Sequence, residues 1–425
     1  MEKICVLGLG YIGLPTALLF ATHGTNVVGV DINKNVIGKL KNGELHFIEN
    51  GLPELFKEAR EKKTFDVNTE VPEADVFIIC VPTPLDKEYH VADLDYVTLG
   101  CDMIVPVLKK GNIVIIESTI SPGSSENLFR KNLERSGLVA GKDFYLIHCP
   151  ERAIPGNTIF EMQNNHRIIG GLTAKSAELG KKLYSKFVDE TKLHTTDIRT
   201  AEVVKLMENT YRDLNIALAN EFAIISEELE IDVWEAIKYA NFHPRVEILR
   251  PGPGVGGHCI AIDPWFLAET SLNAQLIQMA RSINDNMPNY TLRLTKQILG
   301  DKIEFPTITI LGVSYKANVD DTRETPASKY IHMAKKEGMN VKIHDPLCVK
   351  FEAGDLLPLE EAVKDSDCLV VITDHTTFKE IDPEKIAKLV RNKNLLDARH
   401  LLDHEKWKKA GFTVKVLGNN KKVHF

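Results

Sequence analysis

Several features are missing from the 425-residue sequence, and each absence disfavours a class of proteins. The seven cysteines are odd in number and none is spaced as Cys-x-x-Cys, which argues against a disulfide framework and a structural zinc site. No apolar run reaches the roughly 18 residues that a membrane-spanning helix needs. The net charge is −7, with no basic run to bind nucleic acid. These absences predict a protein of the reducing cytoplasm that binds neither membranes nor nucleic acids. A local cationic pocket for a phosphorylated small molecule stays open.

The first third of the chain carries a nucleotide-binding pattern. An apolar strand at residues 3–8 is followed at once by a glycine-rich turn, a helix-like run and a second apolar segment that ends in an acid. Glycines at this spacing permit a tight turn and close approach of a pyrophosphate, while the acid binds ribose hydroxyls and favours NAD over NADP. The predicted NAD contacts are Gly8, Gly10, Tyr11, Ile12, Gly13 and Asp31.

Three further apolar segments end in polar residues: one at Thr83, one at Thr119 and one at Glu151 and Arg152. Ligands of doubly wound sheets bind beyond the carboxyl ends of strands, so both threonines are candidates for the nicotinamide side of the site. Each threonine could equally cap the helix that follows it. Glu151 and Arg152 fit an ordinary solvated ion pair, but their place at a strand end keeps them as candidates.

Residues 200–230 form the strongest helical pattern, without glycine or proline. Lys205, Asn209 and Arg212 share one face because they are spaced at i, i+4 and i+7. A row of polar residues is usually a solvated face. Here apolar residues surround much of the helix, which predicts burial on most sides and a polar row that faces a substrate.

Residues 251–264 are the clearest candidate for a reactive loop. Four glycines and three prolines exclude a regular helix or a central strand, and they allow the backbone to approach a ligand closely. The loop contains Cys259, with His258 beside it and Asp263 four residues on. An isolated cysteine is usually structural, but the glycine density and the polar neighbours predict a nucleophile. Two candidates for binding a polar substrate group precede the loop, His243 and Arg245.

From Thr307 onward, strands and helices alternate again, but the three-glycine signature is absent. Cationic and acidic residues lie between the first strand and its helix, among them Lys316 and Arg323. A nucleotide-binding half that lacks the NAD glycines and keeps cationic groups fits a nucleotide other than NAD. Two more apolar strands would complete a small doubly wound sheet.

The predicted fold class is therefore α/β. Two doubly wound (Rossmann-like) parallel-sheet domains are joined by a helical middle segment with a long helix, since the chain is too long for one compact core. The predicted boundaries are 1–198 for the NAD-binding domain, 199–298 for the middle segment and 299–425 for the second nucleotide-binding domain.

Over nearly its whole length the chain resembles the UDP-glucose/GDP-mannose dehydrogenases, which use NAD to oxidise a sugar-nucleotide alcohol to a carboxylate in two steps. The loop looks like that of the branch acting on UDP-N-acetyl-D-mannosamine. Val255 and His258 depart from the UDP-glucose branch, and Val255 and Ala261 depart from the UDP-N-acetylglucosamine branch. The segments that carry the resemblance are Cys149–Gly156, Tyr211–Ala217 and His243–Phe266.

The resemblance implies a covalent mechanism. Cys259 would trap the intermediate aldehyde as a thiohemiacetal, and a second oxidation would give a thioester that water hydrolyses. Lys205 and Asn209 would stabilise the oxyanion. The residues implied to hold or activate the water are Asp263, Glu151 and Thr119.

The resemblance also implies binding roles. Arg323 would contact NAD, and His243 and Arg245 would read the sugar, across a homodimer interface formed by the middle segment. The residues implied to contact the UDP-sugar are Arg152, Lys205, Asn209, Arg212, His243, Arg245, Gly256, Tyr315, Lys316 and Arg399.

Other interpretations stay open at this point. The substrate could be UDP-N-acetylglucosamine or UDP-glucose, or the enzyme could carry out a single two-electron oxidation. A member of another class, an inactive sugar-nucleotide-binding relative, is disfavoured because Cys259, Lys205, Asn209 and Asp263 are all intact.

Overall fold

A computed structural model describes residues 2–154, 156–300 and 303–421. The chain divides into two compact units. The first unit comprises Met1–Glu208 and Trp265–Asn273, and the second comprises Asn209–Pro264 and Ala274–Phe425. Within the described ranges, every helix is too short or too polar to cross a membrane.

The first unit is organised on an eight-stranded sheet. The strands β5 and β6 lie outside this sheet and form a small separate hairpin. The strands of the unit are β1 (Lys3–Leu7), β2 (Asn26–Val30), β3 (Phe65–Asn68), β4 (Val76–Ile79), β5 (Leu85–Asp86), β6 (Val91–Ala92), β7 (Ile113–Ile116), β8 (Tyr145–His148), β9 (Arg167–Gly171) and β10 (Leu193–Asp197). The sheet order is β10-β9-β8-β7-β4-β1-β2-β3. This is the doubly wound arrangement that the sequence predicts.

Two strands of this sheet run against the others. Six neighbouring strands of the sheet pair in parallel: β3, β2, β1, β4, β7 and β8. The strand β9 is antiparallel to β8, and β10 is parallel to β9. The sequence predicts only parallel strands here. An apolar strand has the same pattern in either direction, so its direction is not visible in the pattern.

Helices cover both faces of the first sheet. The helix α1 is buried along its whole length, and α2 begins at Asn33, whose side chain accepts a hydrogen bond from the backbone N–H of Asn35. The helices of this unit are α1 (Gly13–Thr22), α2 (Lys34–Asn42), α3 (Leu52–Glu61), α4 (Asp95–Ile104), α5 (Arg130–Glu134), α6 (Thr158–Asn164) and α7 (Ala174–Tyr184).

The long predicted helix is confirmed as α8 (Ile198–Glu228), which begins in the first unit and ends in the second. The expectation that α8 is buried on most sides is wrong for the single chain. Tyr211 is 61% exposed, and Leu218 and Ile225 are each 41% exposed. Arg212 is also exposed, so it does not continue the buried polar row of Lys205 and Asn209.

The second unit contains a five-stranded, wholly parallel sheet. Four of its strands match the predicted segments, while β15 and the long helix α11 were not anticipated. Its elements are α9 (Val233–Ala240), α10 (Asp263–Ala268, which continues into the first unit), α11 (Gln275–Leu299), β11 (Thr307–Leu311), α12 (Pro326–Lys336), β12 (Asn340–His344), α13 (Leu359–Val363), β13 (Cys368–Val371), α14 (Pro383–Ile386), β14 (Asn394–Asp397), α15 (His404–Lys409) and β15 (Thr413–Val416). The sheet order is β12-β11-β13-β14-β15.

Candidate active site

The glycine turn after β1 has the geometry that a dinucleotide requires. Gly8 has a φ of +87°, and a Cβ at this position would lie 2.6 Å from the carbonyl oxygen of Cys80. A Cβ on Gly13 would lie 1.8 Å from the carbonyl oxygen of Gly8. Gly10 differs, because no atom lies within 4 Å of its added Cβ. Gly8 and Gly13 are therefore needed for the fold, while Gly10 faces open space.

The acid at the end of β2 faces this turn. Asp31 Oδ2 accepts a hydrogen bond from the backbone N–H of Leu9 at 2.9 Å, and Oδ1 accepts one from the N–H of Asn33 at 2.8 Å. The start of α1 has no side-chain cap, so its first turn suits an anionic group. The Tyr11 ring packs against Phe47, with centroids 4.5 Å apart. These residues fit NAD.

The two predicted threonines lie at the carboxyl ends of neighbouring strands. Thr83 follows β4 and Thr119 follows β7, which pair directly. Ser118 Oγ donates a 2.7 Å hydrogen bond to the carbonyl of Val81 and so joins the two strand ends. Both threonines are half-buried. Their contact with the nicotinamide stays a prediction.

Glu151 is buried at the end of β8, and its partner is not Arg152. Its Oε2 pairs with the guanidinium of Arg167, while Oε1 accepts hydrogen bonds from the backbone N–H groups of Arg152 (2.6 Å) and Ala153 (2.9 Å). The ordinary interpretation as a solvated Glu151–Arg152 ion pair is therefore wrong. Both carboxylate oxygens therefore already have protein partners, which weakens Glu151 as the activator of a water.

Arg167 belongs to a buried ionic cluster that the sequence did not reveal. It is 2% exposed, and its Nη1 lies 3.4 Å from Oε1 of the buried Glu117. Glu117 also accepts hydrogen bonds from Thr16 (3.0 Å) and Tyr184 (2.5 Å). Burial raises the pKa of Glu117, and Arg167 opposes that rise. The available signal was a carboxylate placed directly after the apolar strand β7.

Arg152 is instead held by the long helix. Its Nε donates to Glu208 Oε2 at 2.9 Å, and its Nη1 donates to the carbonyl of His166 at 2.6 Å. Lys205, on the same helix, is 8% exposed and lies one turn before Asn209. Lys205 and Glu208 belong to the first unit, whereas Asn209 belongs to the second.

The reactive loop of the second unit brings three of the predicted residues together. Cys259 is exposed, and its carbonyl accepts a 2.8 Å hydrogen bond from the backbone N–H of Asp263 at the start of α10. The Asp263 side chain is buried and accepts a 2.6 Å hydrogen bond from Asn209 Nδ2. The backbone of Asp263, whose carboxylate is paired with the Asn209 amide, is thus hydrogen-bonded to the backbone of Cys259.

The glycines of the loop are required by close contacts within the second unit. A Cβ on Gly256 would lie 2.5 Å from the carbonyl oxygen of Glu324, and one on Gly257 would lie 2.8 Å from the Tyr315 ring. The backbone N–H of Gly257 donates to the carbonyl of Arg323 at 3.1 Å. The loop therefore packs closely against the segment that follows β11, and its close approach to a ligand stays a prediction.

Other predicted residues of the second unit lie within this segment or after β14. Arg399 Nε donates to the carbonyl of Ile372 at 2.9 Å, and Lys316 is exposed beside Tyr315. Arg323 is exposed, and its Nη2 lies 2.5 Å from Asp321. Burial would raise the pKa of Asp321, but the hydrogen bonds from Arg323 outweigh it and lower that pKa.

Three of the predicted substrate contacts have exposed side chains in the single chain: Arg212, His243 and Arg245. His243 Nδ1 accepts a 3.3 Å hydrogen bond from the backbone N–H of Arg245, which stabilises a turn after α9. Within the described ranges, His, Cys, Asp and Glu form no group of three or more arranged to hold a metal ion.

A glycine turn for a dinucleotide, a second nucleotide-type sheet and a thiol loop define a class of two-unit nucleotide-dependent α/β enzymes. Family models identify the class more closely. They match the NAD binding domain of the UDP-glucose/GDP-mannose dehydrogenase family at residues 2–188, the central domain at 199–286 and the UDP binding domain at 309–404. The chain belongs to this family, and its cofactor is NAD.

Relatives match the chain over its full length. It is 50% identical to a UDP-N-acetyl-D-mannosamine dehydrogenase of Methanococcus maripaludis, over 99% of this chain and 97% of the relative. The solved structure of a UDP-D-ManNAc dehydrogenase from Pyrococcus horikoshii matches with a TM-score of 0.92 and 41% identity, over 99% and 100% of the two chains. That of a UDP-N-acetyl-mannosamine dehydrogenase from Staphylococcus aureus matches with a TM-score of 0.88 and 41% identity, over 98% of each chain.

Proposed function

We propose that this chain oxidises UDP-N-acetyl-D-mannosamine at C6 to UDP-N-acetyl-D-mannosaminuronate, a four-electron reaction that uses two NAD per sugar. The observation that carries the proposal is the loop of the second unit, in which an exposed Cys259 lies one turn from the hydrogen-bonded pair of Asp263 and Asn209. The names of the full-length relatives support the choice of sugar.

NAD, when bound, is the hydride acceptor for both oxidations. The C6 alcohol first loses a hydride and a proton to become an aldehyde, which has no second hydride to give until it becomes tetrahedral. The Cys259 thiol loses its proton, its sulfur bonds C6, and the carbonyl oxygen gains a proton, which gives a thiohemiacetal. Loss of a second hydride and a proton leaves a thioester. Water then adds to C6 of the thioester, the bond between C6 and the Cys259 sulfur breaks, and the products are the sugar carboxylate, a proton and the restored thiol.

The polar residues have matching proposed roles. Lys205 and Asn209 donate hydrogen bonds to the oxyanion that develops at the C6 oxygen. Asp263 holds the hydrolytic water, and Glu151 is the second candidate for this role. Thr119 is proposed to contact both the cofactor and this water.

Substrate recognition is proposed to be divided along the chain. Gly256, Tyr315, Lys316 and Arg399 bind the uridine diphosphate, which is supported by the packing of Tyr315 against the reactive loop and by the match to a UDP binding domain. Arg323 contacts NAD. The remaining proposed sugar contacts are Arg152, Arg212, His243 and Arg245.

We further propose the three-segment division 1–198, 199–298 and 299–425, with a homodimer formed by the middle segment. The dimer is supported by a stripe of exposed apolar residues on α8, at Tyr211, Leu218 and Ile225, which recur at intervals of seven. A second copy covers this stripe. A cytoplasmic location is proposed because all seven cysteines, each in the described part of the chain, are outside disulfides.

The dimer is tested by analytical ultracentrifugation of Ile225→Arg, which we expect to sediment as a monomer. Val349→Arg is the matched control, since Val349 is 89% exposed and lies outside the stripe. A dimer that persists in Ile225→Arg would contradict this interface.

The substrate proposal is tested by NADH yield with limiting UDP-N-acetylmannosamine, UDP-N-acetylglucosamine and UDP-glucose in parallel. Two NADH per sugar with the first alone is the expected result. One NADH per sugar would indicate a simple dehydrogenase, and preference for another sugar would overturn the choice of substrate. No reduction of NAD with any sugar would identify an inactive binding relative.

A further inference from the structure

A buried histidine connects the loops at the carboxyl ends of β11 and β13. These two strands pair in parallel at the centre of the second sheet, and the chain leaves β11 for β12 on one side before it returns to form β13 on the other. In open parallel sheets, such a reversal of strand order creates the crevice in which ligands bind. His375 lies fully buried in the loop after β13.

The imidazole contacts both ends of the segment 314–318, which contains Tyr315 and Lys316. Its Nδ1 accepts a hydrogen bond from the backbone N–H of Asn318 at 3.0 Å, which requires the proton of the neutral ring to be on Nε2. That Nε2 faces Asp345 Oδ2 and Ser314 Oγ, each at 3.1 Å. Because the acid and the serine share one nitrogen, this is not the relay of a Ser-His-Asp triad.

Neighbours of His375 extend the same connection. Thr373 Oγ1 donates to the carbonyl of Ser314 at 2.7 Å, and Thr376 donates to Asn318 Oδ1 through its N–H and its Oγ1, each at 3.0 Å. Asn318 has a φ of +60°, a left-handed conformation that is uncommon for a residue with a side chain. The hydrogen bonds from 373–376 therefore hold a backbone shape that 314–318 would not favour alone.

We propose that His375 is a positioning residue for uridine-nucleotide binding: through Ser314 and Asn318 it holds Tyr315 and Lys316 in the binding conformation. This inference rests on the proposed function, in which the second unit binds the uridine diphosphate. His375 touches neither the substrate nor the cofactor in this role, so it acts on nucleotide affinity and not on the chemical steps.

Two substitutions test the roles of the two ring nitrogens of His375 separately. His375→Asn keeps an acceptor near Nδ1 for the Asn318 N–H, whereas His375→Gln keeps a donor near Nε2 for Asp345 and loses that acceptor. We expect His375→Gln to weaken UDP binding about fivefold to tenfold, the effect of losing one buried hydrogen bond. His375→Asn, which keeps the Asn318 hydrogen bond and loses the contact with Ser314, should weaken UDP binding by a smaller factor of about two to three, and NAD affinity should be unchanged in both.

The measurement is calorimetric titration of the full chain with UDP and, separately, with NAD. Thr309→Val is the matched control, because Thr309 is buried in β11 and donates to the carbonyl of Ala362 at 2.6 Å, away from the segment 314–318. It should lower stability without changing UDP affinity. Equal UDP affinity in His375→Gln and the wild type would overturn the proposal, as would equal losses in His375→Gln and Thr309→Val.

Two further variants keep the test decisive. If His375→Gln does not fold, Thr376→Val removes one exposed hydrogen bond to Asn318 and should weaken UDP binding about twofold, while unchanged affinity would overturn the proposal. Lys316→Ala tests the underlying site. Weaker binding in Lys316→Ala with no change in His375→Gln would overturn the positioning role alone, and no change in Lys316→Ala would overturn the UDP site itself.

Discussion

The two units repeat one backbone device with different chemistry. In each unit a glycine with a positive φ follows the first strand: Gly8 at +87° and Gly312 at +88°. The N–H of each glycine donates a 2.8 Å hydrogen bond to the carbonyl of the last residue of the next strand, which is Val30 or His344. An acid after that next strand then accepts the N–H of the residue after the glycine: Leu9 to Asp31 at 2.9 Å, and Val313 to Asp345 at 2.7 Å.

The difference lies in what surrounds the acid. Asp31 is half-buried and faces a glycine turn with open space at Gly10. The Asp345 side chain is fully buried, and it also accepts hydrogen bonds from His375 and from the N–H groups of Leu347 and Cys348. One strand–turn–strand frame thus serves as a ligand site when its acid is left accessible, and as an internal support when protein groups surround the acid.

The largest effect is expected at Cys259, because the proposed covalent chemistry belongs to the second unit alone. Cys259→Ala should reduce formation of the carboxylate by about a thousandfold or more, because the aldehyde no longer becomes a thiohemiacetal. NADH yield and product mass would be measured with limiting UDP-sugar. Cys368→Ala, which removes a buried thiol of the same unit, should still form the carboxylate. Full turnover in Cys259→Ala would disprove the nucleophile.

A second prediction separates the two kinds of glycine in the first unit. Gly13→Ala should destabilise the protein by about 3 kcal/mol or more, because its Cβ meets the carbonyl of Gly8. Gly10→Ala should change stability by less than about 0.5 kcal/mol and weaken NAD binding about tenfold or more, since its side chain would occupy the open space. Denaturant unfolding and NAD titration measure the two effects. Similar stabilities in the two variants would refute the distinction.

A third prediction concerns the buried acid of the second unit. Burial would raise the pKa of Asp345, but the hydrogen bonds from His375 and three backbone N–H groups outweigh it and hold that pKa well below its usual range. A depressed pKa gives a stabilisation that is fully present above about pH 4, which is the unfolded-state pKa, and that is lost progressively as the pH falls from there toward the lower folded-state pKa. Asp345→Asn should therefore cost about 2–3 kcal/mol at neutral pH.

The stability difference between the wild type and this variant should shrink as the pH falls below about 4, because the carboxylate is then protonated in the unfolded chain while it stays ionised in the folded wild type. Denaturant unfolding at about pH 7 and about pH 3 measures both values. A stability difference that is independent of pH would show that shape, and not charge, explains the effect.

The smallest effect is expected at the accessible acid. Asp31→Asn should weaken NAD binding about tenfold through loss of a charged acceptor for the ribose hydroxyls. UDP affinity should not change, and stability should fall by no more than about 1 kcal/mol, since only two backbone hydrogen bonds are affected. Parallel titrations with NAD and UDP provide the measurement. A stability loss as large as that of Asp345→Asn would remove the contrast between the two acids.

Much of the local structure could be predicted from the sequence. The glycine turn, the bounds of the long helix and four strands of the second sheet follow from hydrophobic period and from glycine and proline chemistry, which act within a few residues. The helix α11 was missed because Pro288 lies inside it and normally signals a break. The burial of α8 was overestimated, since an apolar stripe has the same sequence pattern whether the chain covers it or leaves it exposed.

Partners distant in sequence could not be predicted. Glu151 meets Arg167, and Asp345 meets His375, which is 30 residues away. A buried acid needs a partner, but a sequence contains many cations and donors that could supply one. Only packing decides among them.

The sequence by itself determined where the backbone must turn, which segments alternate between strand and helix, and which thiol lies in a glycine-rich loop, because steric limits and periodicity are local. The tertiary structure alone decided which acid stays accessible and which becomes a support, which way β9 runs, and which side chains hold the segment 314–318. Those outcomes depend on burial and on hydrogen bonds between strand ends that are close only after the sheets have formed.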